Sequence, residues 1–102
     1  FIFCSHEDFG IAPVEALASG IPVVAYEAGG ALDYIKPEKN GWFFSEQTDS
    51  SLIEVLEKLP GKKVSPTKIS ATANEFSAAI FHKAMKKIVD KSWKEYYREN
   101  RN

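Results

Sequence analysis

The sequence predicts an α/β fold, a parallel sheet with flanking helices. Three observations point there. The apolar runs Phe1-Ile2-Phe3-Cys4 and Val23-Val24-Ala25-Tyr26 are continuous rather than alternating, as in strands covered on both faces. Helical segments marked by glycine and proline lie between such runs, so strand and helix alternate along the chain. Between the first strand and the first helix lies a polar loop ending in glycine, the place where an open α/β sheet binds ligands.

Residues 1–5 are expected as the first strand, and His6-Glu7-Asp8-Phe9-Gly10 as the loop. The helix that follows begins near Ile11 or Ala12, since Pro13 suits a first turn, where a missing N–H has no helical partner to lose. Gly20 is its left-handed stop, and Pro22 bars continuation. Residues 23–26 form the second strand, 27–30 a turn and 31–35 a helical turn. Residues 36–41 are a connection in which Asn40-Gly41 is a strong turn signal, and Trp42-Phe43-Phe44 is the third strand.

Ser51 and Glu54 have capping-box spacing. Leu52, Ile53, Val55, Leu56 and Leu59 recur at helical intervals, giving an amphipathic helix over 50–59 that Pro60-Gly61 ends. Residues 62–66 are a polar connector and 67–75 a short helix. Ser77 can cap the last helix, which runs from 77 to about 97. Its apolar stripe is Ile80, Phe81, Ala84, Met85, Ile88, Val89, Trp93, Tyr96 and Tyr97; Lys83, Lys86, Lys87, Lys91 and Lys94 make the other face. Residues 98–102 are expected to fray.

The length of 102 residues allows one domain at most. A net charge of −1 gives no bulk attraction to nucleic acid. The charge is uneven: residues 1–50 carry eight acids against two lysines, and residues 51–102 carry eleven bases against six acids. The basic second half reads as a solvated helix face rather than a membrane or polyanion patch. The single cysteine, Cys4, permits no internal disulfide and, in an apolar strand, is expected to be a buried, inert thiol. No apolar run approaches membrane-helix length, and a cytoplasmic setting fits. The chain opens inside an apolar strand, so further strands are expected upstream, in a longer protein.

Glu7 and Glu15 flank Phe9-Gly10-Ile11. The ordered set Glu7-Asp8-Phe9-Gly10, Glu15-Ala16, Gly20-Ile21-Pro22-Val23, Gly29-Gly30 and Asn40-Gly41 follows, with Phe76-Ser77 leading into the final helix. This set resembles the donor-binding domain of glycosyltransferase family 4, over residues 1 to about 97. The resemblance implies a Rossmann-like sheet, the C-terminal part of a GT-B nucleotide-sugar-binding domain. Residues 1–102 would be a partial donor-binding domain, with 77–97 its long C-terminal helix.

By the same resemblance, Glu7 holds hydroxyls of the donor hexose and is the catalytic carboxylate, and Glu15 holds the ribose hydroxyls. Phe9, Gly10 and Ile11 offer backbone N–H groups to the sugar and its phosphate, and Val14 lies beside the diphosphate or ribose. Elementary chemistry agrees. A carboxylate accepts two hydroxyl bonds from a vicinal diol, and N–H groups at a helix start favour anions. The wording around Phe9 to Gly20 is most similar to mannosyltransferases that use GDP-mannose. A UDP-sugar-dependent hexosyltransferase and a non-catalytic nucleotide-binding module of the same fold are the alternatives.

The implied reaction of the whole enzyme moves a hexose to a glycan or lipid-linked acceptor in polysaccharide biosynthesis, with retention. It needs no metal and no cofactor beyond the nucleotide-sugar donor. Family members add an Arg and a Lys for the phosphates; no such pair stands near the motif. The fragment alone is therefore expected to be inactive, its partner being the missing N-terminal GT-B domain. The whole enzyme is expected in the cytoplasm, working at the inner face of the membrane as a peripheral protein. Two placements stand open for Trp93 to Tyr97: against that other domain, or within this one. Asp8 and His6 read as loop residues, His82 as a surface or packing residue, Trp42 as a packing aromatic, and Gly29-Gly30 as a tight turn.

Overall fold

The computed structural model describes residues 1–59, 61 and 64–101. Pro60 as a helix stop, Lys62-Lys63 of the connector and Asn102 of the tail lie outside the described residues. The elements are β1 (Ile2–Phe3), α1 (Ile11–Ala18), β2 (Val23–Tyr26), α2 (Ala31–Tyr34), β3 (Gly41–Phe44), α3 (Asp49–Lys58), α4 (Pro66–Ala71), a 3-10 turn (Asn74–Phe76) and α5 (Ala78–Glu99). The strands form one parallel sheet in the order β1-β2-β3. The α/β architecture is the one expected.

Registers of Phe3 with Ala25 and of Val23 with Gly41 place Phe3, Val23 and Ala25 on one face. That face packs with Leu17 of α1, Ala31 and Tyr34 of α2, and Ile69 of α4 into the core. Helix α1 stops as expected. Gly20 takes φ 81, and Gly20 N–H and Ile21 N–H donate to the Leu17 and Ala16 carbonyls at 2.9 and 3.0 Å.

Several expectations are corrected. β1 is two residues long and only half covered: Phe3 is buried, but Ile2 is 48% exposed and Cys4 is exposed, not buried. β1 is an edge among the described strands, and Cys4 lies just past its end, where its carbonyl accepts from Gln47 Nε2 at 2.9 Å. The cap of α3 is Thr48, whose hydroxyl accepts from Ser51 N–H at 3.2 Å, and not Ser51. Ser51 Oγ instead accepts the Glu46 N–H, closing the turn from the other side.

The helix expected over 67–75 divides in two. It begins one residue earlier, at Pro66, capped by Ser65, and α4 ends at Ala71, where the Thr72 and Ala73 N–H groups turn to the i−3 carbonyls of Ile69 and Ser70 and the Thr72 hydroxyl adds a bond to the Ile69 carbonyl at 2.6 Å. Gly41 is not a turn residue but the first of β3, where a Cβ would collide with the Val23 carbonyl. The left-handed residue of that connection is Glu38, at φ 67.

Helix α5 reaches Glu99 rather than fraying at 98, and Asn100 caps it through N–H and Nδ2 bonds to the Tyr96 carbonyl. Its 22 residues span about 33 Å. They project from the sheet, with their main contact at the 3-10 turn, and give the molecule extents of 66 × 29 × 17 Å. No α5 residue is buried; Trp93, Tyr96 and Tyr97 are each about 60% exposed. Lys86–Asp90 and Lys91–Glu95 pairs lie along its polar face. Among the described residues no helix is long and apolar enough to cross a membrane.

Candidate functional site

The loop between β1 and α1 has its shape set from one side, by the segment 29–34. The Gly30 N–H donates to the Glu7 carbonyl at 2.8 Å. A Cβ on Gly29 would collide with the Glu7 carbonyl, and one on Gly30 with the Asp8 and Phe9 carbonyls. The Gly29-Gly30 pair is thus more than a tight turn: it lets two backbones touch.

One helical turn further, the buried Tyr34 hydroxyl donates to the Phe9 carbonyl at 2.7 Å, with the Gly10 carbonyl at 3.1 Å sharing the proton. Gly10, the N-cap of α1, holds φ 88, and a Cβ there would stand 2.6 Å from that hydroxyl. Two constraints, a left-handed backbone and a close neighbour, therefore require glycine at position 10.

Phe9, Tyr34 and Phe76 pack edge to face, with ring centres 5.4 to 6.0 Å apart. This joins the loop to the entrance of α5. Burial, then the carboxylates of Glu7 and Asp33, raise the Tyr34 phenol above its usual pKa, so it stays a donor. Fully buried Asn40 anchors α2 beneath it. Its Nδ2 donates to the Tyr34 carbonyl at 3.0 Å and to Thr72 Oγ1 at 2.9 Å, and its Oδ1 accepts the Lys36 N–H at 2.7 Å.

Glu7 is exposed on the loop. Phe9 is partly exposed, and Ile11, the first helical residue, is 66% exposed. Val14 is half-buried, and Glu15 is exposed near the middle of α1. Phe9, Ile11, Val14 and Glu15 line one cleft of about 940 Å³, faced by Phe76, Ile80 and Phe81. Glu7 and Gly10 do not line it. His82 also lines it and is exposed. Among the described residues no lysine or arginine lines this cleft. Gly10 N–H, Ile11 N–H and Ala12 N–H donate to no acceptor among the described residues, as the first donors of a helix commonly do. Asp8 is an exposed loop residue, and His6, also exposed, meets Tyr26 edge-on.

Sequence reasoning missed Tyr34 and Asn40. The available signal was Gly29-Gly30 beside a loop, a mark of close backbone approach.

Residues 1–76, from β1 through the 3-10 turn, match the family model of the glycosyl transferases group 1. The chain belongs to this family. Among its relatives is an uncharacterized glycosyltransferase of Methanocaldococcus jannaschii, 46% identical over 46 residues, 44% of this chain and 12% of that protein. An alpha-1,3/1,6-mannosyltransferase of Rhizomucor pusillus is 28% identical over 81 residues, 76% of this chain and 18% of that protein. A sucrose-phosphate synthase of Arabidopsis thaliana is 35% identical over 57 residues, 56% of this chain and 5% of that protein. The chain thus spans less than a fifth of the length of each of these relatives. The family match ends at Phe76, the ring that touches Phe9, and α5 lies beyond it.

Proposed function

We propose that this glycosyl transferases group 1 chain is the donor side of a retaining hexosyltransferase of GT-B fold. The whole enzyme moves a hexose, mannose from GDP-mannose, to a glycan or lipid-linked acceptor in polysaccharide synthesis. The observation that carries the proposal is the pair of free N–H groups at Gly10 and Ile11, set between Glu7 and Glu15 in a chain of this family. Glu7 holds hexose hydroxyls and Glu15 the ribose diol. Phe9, Gly10 and Ile11 direct N–H groups at the sugar phosphate, and Val14 packs beside it.

The chemical demand is to stabilise a departing diphosphate while the sugar gains oxocarbenium character. Fixed backbone donors meet part of that demand without reorganising. The cleft's lack of lysine and arginine side chains among the described residues supports a site completed from elsewhere in the protein. The exposed stripe of α5 supports docking of Trp93, Tyr96 and Tyr97 on an N-terminal domain. The whole protein then works in the cytoplasm, at the inner face of the membrane when its acceptor is lipid-linked.

The mannosyltransferase name among the relatives supports mannose as the sugar, and the wording around Phe9 to Gly20 supports GDP as its carrier. Calorimetric titration of the full-length protein with GDP-mannose, and with UDP-glucose beside it, tests this. Binding of GDP-mannose, weakened about tenfold or more by Glu15→Ala, is expected, because bonds to a charged acceptor contribute about 1.5–3 kcal/mol. Unchanged affinity in Glu15→Ala would refute the assignment of the ribose contact. Preference for UDP-glucose would replace the donor.

A further inference from the structure

In a trans peptide the C=O of one residue and the N–H of the next point in opposite directions. The carbonyls of Phe9 and Gly10 both turn to the Tyr34 hydroxyl. Their peptide partners are the N–H groups of Gly10 and Ile11, which must therefore point away from α2. Gly10 at φ 88 lets two consecutive peptide units face the same way, as in backbone anion nests. Resting on the donor site proposed above, we propose that Tyr34 is its positioning residue: one hydroxyl, clasping two carbonyls, aims the Gly10 and Ile11 N–H pair at the donor diphosphate.

The support is rigid. Phe9 and Phe76 fix the Tyr34 ring edge to face, and Asn40 Nδ2 holds the Tyr34 carbonyl. The Gly30 N–H on the Glu7 carbonyl adds a third tie from the same side. No other side chain among the described residues bonds the Phe9 or Gly10 carbonyl.

The test uses the full-length protein titrated with GDP and UDP, following the tighter of the two. Tyr34→Phe keeps the ring and removes only the hydroxyl. Ile69→Val, in the core on α4, which among the described residues makes no hydrogen bond to the loop, serves as a control of similar stability loss. Tyr34→Phe is expected to weaken diphosphate binding about tenfold. It should also move the phosphorus NMR resonances of the bound diphosphate, while Ile69→Val changes neither. A ring-fluorinated tyrosine at position 34, which keeps ring and hydroxyl but donates more strongly, must move the same resonances even if Tyr34→Phe does not fold. If the wild type binds and Glu15→Ala weakens it, yet both changes at position 34 behave as Ile69→Val does, Tyr34 has no positioning role and the donor site stands. If the wild type binds neither diphosphate, the donor site fails, and the role of Tyr34 with it.

Discussion

Asn40→Ala should cost the fold about 2–4 kcal/mol. Three hydrogen bonds disappear, each with a net contribution of about 1 kcal/mol. The Tyr34 carbonyl is left buried and the Lys36 N–H partly buried without those partners, which raises the loss toward the upper figure. Thr72 loses less, since its hydroxyl still donates to the Ile69 carbonyl.

Equilibrium urea unfolding in a Trp93→Phe background makes Trp42 on β3 the reporter. At a slope of about 1–1.5 kcal/mol per molar, the midpoint should fall by about 2 M. Asn40→Asp keeps the acceptor for Lys36 but sets a carboxylate against the Tyr34 carbonyl. It should be at least as damaging at neutral pH, and recover as the pH falls and the carboxyl gains a proton it can donate. A cycle with Thr72→Val should show coupling of about 0.5–1.5 kcal/mol. A loss below about 0.5 kcal/mol in Asn40→Ala, or strict additivity with Thr72→Val, would refute the argument that this side chain ties α2 to the C-terminal cap of α4.

Other outcomes follow from the same contacts. Gly30→Ala, with an ordinary backbone but a Cβ directed at the Asp8 and Phe9 carbonyls, should displace the loop and weaken nucleotide binding far more than Gly61→Ala, where a Cβ meets nothing; titration compares the two. Because the Tyr34 phenol has a raised pKa when folded, its contribution is fully present below the unfolded value, about 10, and lost as pH rises through the folded one. Alkaline unfolding of wild type should therefore show a loss above about pH 10 that Tyr34→Phe lacks. The isolated 102-residue chain should show no sugar transfer, and measurable transfer would refute a split site. Trp93 fluorescence should be readily quenched by iodide in the isolated chain and protected in the full-length protein; equal quenching would count against docking of α5.

The order of strands and helices was legible because punctuation is local. Gly20 and Pro22 end α1 whatever packs around it. The apolar run 23–26 is a strand because three of its residues are buried. The covering of β1 was not legible, because burial of Ile2 and Cys4 depends on neighbours and not on their own sequence. The split of α4 turned on two main-chain bonds, from Thr72 and Ala73, that shorten to the i−3 carbonyls with no glycine or proline to mark the place. At the site, spacing named Glu7, Glu15 and the glycine between them. It did not name Tyr34, whose function depends on a hydroxyl reaching across 25 residues. Nor did it reveal that Asn40, which reads as half of a turn signal, is the most deeply buried polar side chain of the core.

That separation has a consequence for how the molecule is made. Among the described residues, the groups that hold the Glu7, Phe9 and Gly10 carbonyls from outside the loop and α1 come from residues 29–34. Closing a loop of about 25 residues is cheap, since closure entropy grows only with the logarithm of length. By the time Tyr34 has been synthesised, the loop has all of those partners available, while β3, α4 and α5 are still to be translated. The bonds that hold the contour of the loop thus lie within residues 7–34, and Asn40 and Phe76, made later, brace the tyrosine that forms them.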